Sequence, residues 1–266
     1  MLKIQYASDL HLELPDNARH VAQHPLQVTG DILVLAGDIA YLGKDYAKHP
    51  FWDWASEHYR HVAVIPGNHE FYGGFDLENM HDGWQLKLRC NVTCHYNDCL
   101  TFGDTELILS PMWASVPIEY AVTVQEGIND FRLVRCGGKT LNWVRFNEEH
   151  FRCFHFLHAA IRRSAAAHIV VVTHHLPSFE LLPPEFLGSP LNGAFVTDLH
   201  GFIEASPVEY WIYGHSHRNI DRMIGRTQCL SNQLGYIRSG EHRTFDPAKS
   251  LSLIHISEPT RQAEIS

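Results

Sequence analysis

The sequence predicts an α/β fold, and three observations carry that prediction. Apolar runs of strand length recur at 31–36, 62–65 and 169–173, each bounded by turn-forming or polar residues. A stretch of helical character separates the first two, giving a strand–helix–strand unit that argues for parallel pairing. Each run ends in polar side chains, and open α/β sheets gather ligands just beyond the carboxyl ends of their strands. The chain has 266 residues, enough for one large domain or two small ones, and nothing in its composition divides it. Hydrophobic residues make up 45% and charged residues 19%, a globular balance, and no apolar run is long enough to span a bilayer. The formal net charge of -9 repels polyanions, so phosphate chemistry would need local positive charge, most simply bound metal. Residues Met1 to Asp9 lack the apolar core and cleavage site of a signal peptide, so they read as a strand and imply a cytoplasmic protein. The six cysteines are then expected as reduced thiols.

Leu2 to Ala7 is the first expected strand, and beyond it stand Asp9 and His11. Residues i and i+2 of extended backbone point the same way, so this pair can converge on a transition-metal cation; a solvated turn is the alternative. Residues 15 to 30 read as loop or short helix. The run 31–36 ends in Gly37-Asp38, where Gly37 permits a close turn and Asp38 offers two oxygens able to bridge two ions. Residues 44 to 60, with Phe51, Trp52, Trp54 and Ala55 among charged neighbours, read as an amphipathic helix. The buried strand Val62–Ile65 then runs through Pro66-Gly67 and delivers Asn68, His69 and Glu70 at its tip. Parallel pairing puts Asp38 and Asn68 on one sheet edge.

Residues 71 to 88 read as loop followed by helix. Cys90, Cys94, His95 and Cys99 lack the paired knuckles of a zinc ribbon, so 91–109 reads instead as a meander of hairpin strands with packing cysteines. Within the weakly patterned stretch 111–150, Arg132 is a candidate contact for an anionic substrate, with an ordinary surface or ion-paired role as the alternative. Phe151, Phe154, Leu157 and Ile161 recur at helical spacing, and Arg162-Arg163 suit a helix end. The strand 169–173 ends in His174-His175, of which His174, first off the strand, is the ligand candidate. A loop marked by Pro183-Pro184 and Gly188-Ser189-Pro190 is placed to wall a site, a short helix is expected over 199–204, and the strand 210–213 ends in Gly214-His215-Ser216-His217. His215 and His217 repeat the spacing of Asp9 and His11.

Asp9-x-His11, Gly37-Asp38, Gly67-Asn68-His69-Glu70, His174 and Gly214-His215-Ser216-His217 occur in the order that marks the calcineurin-like metallophosphoesterase superfamily. The chain resembles a bacterial-type member from Asp9 to His217, with Ser216 standing where Thr is more often found. The resemblance implies a four-layer α/β/β/α sandwich of two mixed sheets flanked by helices, formed by residues 1–250. It implies two divalent metal ions (Mn, Fe, Zn or similar): Asp9, His11, Asp38 and His217 would hold one, and Asp38, Asn68, His174 and His215 the other, with Asp38 bridging. It also implies hydrolysis of a small-molecule or nucleotide phosphomonoester or phosphodiester by a metal-bridging hydroxide. His69, beside Asn68 but outside the ligand set, is expected to assist the leaving group, with Glu70 or another carboxylate orienting it. A metal-retaining scaffold would show an eroded ligand set, and a nuclease on the same fold a basic surface; the intact set and the acidic balance weigh against both, and against nucleic acid as a partner.

Leu251 to Arg261 match a translation of a transposase adapter used in sequencing libraries. Residues 251–266 are therefore expected to be a non-native read-through tail.

Overall fold

A computed structural model describes residues 2–43 and 45–253. In chain order the strands are β1 (Leu2–Ala7), β2 (Ile32–Ala36), β3 (His61–Ile65), β4 (Trp84–Arg89), β5 (Val92–Tyr96), β6 (Asp98–Phe102), β7 (Thr105–Leu109), β8 (Arg135–Cys136), β9 (Lys139–Thr140), β10 (His168–Val172), β11 (Tyr210–Tyr213), β12 (Arg222–Ile224), β13 (Thr227–Ser231) and β14 (Ser250–Leu253). The α-helices are α1 (Pro15–Gln23), α2 (Phe51–His58), α3 (Ala121–Gly127), α4 (Asp130–Leu133), α5 (Trp143–Arg163) and α6 (His200–Glu204). Two six-stranded sheets result, in the orders β14-β1-β2-β3-β5-β4 and β12-β13-β11-β10-β7-β6. The four central strands of each run parallel and both edge strands antiparallel, so both sheets are mixed.

Alternation along the strands sorts their side chains between two cores. Ile32, Val34 and Ala36 of β2 join Leu107, Leu109, Val170 and Val172 in the layer between the sheets. Leu33 and Leu35 instead share a core with Trp52 and Ala55 of α2, and Val171 and Trp211 share it with Phe146 and Leu157 of α5. Burial on both faces explains why these strands read as unbroken apolar runs, and the outcome is the expected four-layer α/β/β/α sandwich. β2, α2 and β3 form the expected parallel unit, with Leu35 opposite Val64.

Two local expectations are corrected. Residues 84–89 form strand β4, not a helix: Trp84, Leu86 and Leu88 alternate with Gln85, Lys87 and Arg89, the period-two pattern of an edge strand covered on one face. The stretch 91–109 is not one meander, because β5 pairs with β3 in the first sheet whereas β6 pairs with β7 in the second. The chain changes sheets at Asn97, whose φ of 47° gives the sharp turn.

Of the residues read as a tail, Leu251–Leu253 pair with β1 and bury Leu251 and Leu253; the expectation for 254–266 lies outside the described residues. All six cysteines are free thiols. No helix among the described residues is long and apolar enough to cross a membrane.

Candidate metal centre

The carboxyl ends of β1, β2, β3, β10 and β11 lie at the same end of the sandwich, and backbone hydrogen bonds lace their tips together. Asp9 N donates to Gly37 O (2.9 Å), His11 N to Asp38 O (2.9 Å) and Gly214 N to His174 O (3.0 Å). Close approach makes two glycines necessary: a Cβ on Gly37 would collide with the His174 ring, and one on Gly67 with Asp38 Oδ1. The backbone is also strained. Of the seven non-glycine residues with positive φ among those described, five are expected ligands: Asp9, His11, Asp38, His215 and His217. Such conformations cost free energy and persist where the surroundings enforce them.

The expected ligands converge in two groups that share one residue. Asp9, His11, Asp38 and His217 each offer a ligand atom within 4.8 Å of the others, and so do Asp38, His174 and His215. Asp38 Oδ2 lies 3.8 Å from His11 Nε2 while its Oδ1 lies 3.4 Å from His174 Nε2, so its two oxygens serve different groups. Asn68 joins the second group through Oδ1, 3.2 Å from His174 Nε2.

Hydrogen bonds at the outer ring nitrogens show that these residues fit a cation. His11 Nδ1 lies 3.0 Å from Glu13 Oε1 and His217 Nδ1 2.7 Å from Glu241 Oε2, so each donates outward and turns a lone pair on Nε2 inward. Those two Nε2 atoms face each other at 3.0 Å, with Asp9 Oδ1 3.4 Å from that of His217. His174 likewise donates from Nδ1 to Ala36 O (2.8 Å), leaving its Nε2 between Asp38 and the Asn68 carbonyl. Inward nitrogens and carboxylate oxygens packed this closely need positive charge between them, which protons supply in the metal-free protein and a cation supplies when bound. The electrostatics agree: burial opposes charge on His174 and His217, yet Asp38 pulls the first up to about 9, and Asp9 with Glu241 pulls the second up to about 10. Asp38 is itself held well below the usual carboxylate range, since the His174 and His69 charges outweigh its burial.

Around this set stand residues that the sequence reading missed. Asp130 Oδ1 accepts from Asn68 Nδ2 (2.8 Å) and from the Tyr72 hydroxyl (2.5 Å), which fixes the Asn68 amide with its carbonyl toward the second group. Glu13 Oε1 also takes His69 Nδ1 (3.1 Å), so Glu13, not Glu70, orients His69. Glu70 is fully buried and accepts backbone N–H groups from Asp38 (2.9 Å), Ile39 (2.7 Å) and Gly67 (2.7 Å), tying the tips of β2 and β3 together. Glu13 left one trace, the continuation of Asp9-x-His11 to Asp9-x-His11-x-Glu13. Asp130 and Glu241 lie on segments with no strand-tip pattern and left none.

His69 remains outside both groups that contain Asp38. Its Nε2 lies 3.3 Å from the Tyr236 hydroxyl, and it lines a cavity of about 400 Å³ together with Asp38, Asn68, His215 and His217. Burial alone would lower its pKa, but the Asp38 and Glu13 carboxylates raise it. His175 turns out of the set: it is buried against Trp113, with ring centroids 5.3 Å apart, and neither ring nitrogen has a partner among the described residues. The Arg132 guanidinium is exposed, donates to Glu126 O and does not line the cavity.

A family model described as calcineurin-like phosphoesterase matches residues 2–219. The chain is 27% identical, over 92% of its length and 94% of the relative's, to an uncharacterized protein of Acanthamoeba polyphaga mimivirus. Among solved structures, a phosphopantetheinyl hydrolase from Mycobacterium tuberculosis shares the fold at a TM-score of 0.65 and 18% identity, covering 91% of this chain and 92% of that one.

Proposed function

The chain belongs to the calcineurin-like phosphoesterase family, and on that footing we propose that it is a dinuclear, divalent-metal-dependent hydrolase acting on a small-molecule or nucleotide phosphomonoester or phosphodiester. The sharing of Asp38 between two ligand groups is the observation that carries this reading. Mn, Fe, Zn or similar ions would be held by Asp9, His11, Asp38 and His217 at one position and by Asp38, Asn68, His174 and His215 at the other. When bound, two such cations supply charge for the phosphoryl oxygens and acidity for the attacking water.

The chain's own residues do the rest. Asp9 and Asp38 would be the ligating carboxylates, while Asn68 and the imidazoles would ligate as neutral groups, leaving the centre electropositive toward phosphate within an acidic protein. Glu13 and Glu241 hold His11 and His217 by their outer nitrogens and set their inward lone pairs. His69 shares Glu13, faces the cavity and has its pKa raised, which suits a group that gives a proton to the departing oxygen. The six free thiols support a reducing, cytoplasmic setting.

The test is hydrolysis of 4-nitrophenyl phosphate and bis(4-nitrophenyl) phosphate by purified protein loaded in turn with Mn, Fe and Zn, together with metal analysis of Asp38→Asn. Cleavage of at least one ester and loss of metal from the variant are expected. Inertness toward both esters, with unchanged metal content in the variant, would overturn the reading.

A further inference from the structure

The cavity beside the candidate metal centre has a wall that phosphate chemistry does not require. Leu182, Phe186, Leu191 and Phe195 line it on the side of the 182–195 loop, with Ile128 following α3. The wall begins at the centre itself, where the Phe195 ring lies 4.8 Å from that of His215 at 31°. It is also held in place: Asn192 Nδ2 donates to Phe186 O (2.9 Å), Leu176 N donates to Phe195 O (3.0 Å), and Leu181 and Ala194 are buried beneath. Phe186 nevertheless leaves 43% of its surface exposed. A cavity of about 400 Å³ falls within the range of about 300–1,000 Å³ that holds drug-sized ligands, well beyond what a bare phosphoryl group fills.

Charge narrows the choice further. Among the described residues Arg218 is the one Lys or Arg lining the cavity, and its guanidinium is engaged through Nε by Glu185 Oε1 at 3.0 Å and through Nη1 by the His217 carbonyl at 3.1 Å. Asp130 and Glu241 line the same space. Away from the metal positions, the Arg218 guanidinium is thus already engaged and the Asp130 and Glu241 carboxylates disfavour a second negative charge, whereas a diester carries only one. From this we infer, resting on the phosphoesterase reading above, that the substrate is a phosphodiester whose non-leaving ester group is a bulky apolar or aromatic arm, seated on Phe186, Leu191 and Phe195 while the other group departs beside His69.

Three esters with one leaving group test this on the metal-loaded full chain: 4-nitrophenyl phosphate, methyl 4-nitrophenyl phosphate and phenyl 4-nitrophenyl phosphate. The phenyl diester is expected to exceed both others in kcat/KM by at least about ten-fold, a discrimination of the size an apolar pocket gives. Phe186→Ser and Leu191→Ser are expected to shrink the phenyl-to-methyl ratio several-fold. In calorimetric titrations, diphenyl phosphate is expected to bind at least about ten-fold more tightly than dimethyl phosphate, a readout independent of turnover. A monoester preference, or a phenyl-to-methyl ratio near one in both kinetics and binding, overturns this inference and leaves the phosphoesterase reading standing. Inertness toward all three esters overturns both.

Discussion

The Nε2 atoms of His11 and His217 stand 3.0 Å apart with both imidazoles pinned from behind, His11 by Glu13 and His217 by Glu241. Since each outer nitrogen donates to a carboxylate, the facing nitrogens are left to share a positive charge between them, a proton in the metal-free protein and a cation when one is bound. Glu241→Gln keeps the shape but removes the charge that raises the basicity of His217. Metal affinity at this position is expected to fall by about 10–100-fold, the usual cost of losing such a supporting carboxylate. Metal content after dialysis against graded metal buffers reads this directly, and an unchanged affinity would remove Glu241 from the role.

The raised pKa values of His174 (about 9) and His217 (about 10) give the chelated protein a pH signature. Both lie above the ordinary value of about 6.5. Their contribution to stability is therefore fully present below about pH 6.5 and is lost as pH rises through the two folded values. Thermal melts of chelated protein should show Tm falling across that window, while metal-loaded protein, in which ions replace the protons, should stay nearly level. Parallel curves for the two forms would contradict the assignment.

Asp130 acts on the second group through the amide of Asn68. Asp130→Ala frees that amide to turn its NH2 toward the cation. One of two ions is expected to be lost on dialysis, and stability to drop by about 1–3 kcal/mol for buried partners left unpaired. Asp130→Asn, which retains an acceptor oxygen, should fall between. A two-ion stoichiometry in Asp130→Ala would show that Asn68 needs no such support.

Asn68 and His69 are neighbours with separate expected tasks. His69→Ala should depress turnover by about 10²–10⁴-fold, the range for a lost proton donor, and keep its metal. Asn68→Ala should lose the second ion. Paired metal analysis and kinetics distinguish the two, and the reverse pattern would exchange their roles.

The parts of this fold visible in the sequence were those whose side chains answer to one local rule. β2, β3 and β10 are buried on both faces and so appear as apolar runs, and the expected ligands stand at the ends of such strands. β4 was misread because an edge strand carries only a weak alternation, which Trp84 and Leu86 make resemble one face of a helix. The passage of the chain between sheets at Asn97 depends on partners distant in sequence, which no local pattern specifies. The same holds within the site. Asp130 reaches Asn68 across 62 residues, and Glu241 reaches His217 from a segment beyond the last parallel strand, so each is defined by the neighbour it meets in space.

The left-handed backbone at Asp9, His11, Asp38, His215 and His217 gives these positions a second selection rule besides chemistry. A replacement must offer a donor atom and must also live at positive φ, where asparagine, aspartate, histidine and glycine are at home and alanine is not. An alanine scan of this edge would therefore change two variables at once, the lost donor and the resisted turn. Asparagine at Asp9 or Asp38, and asparagine or glycine at the three histidines, alters the donor while leaving the turn at ease. That pairing is how the electrostatic and conformational shares of each position can be separated.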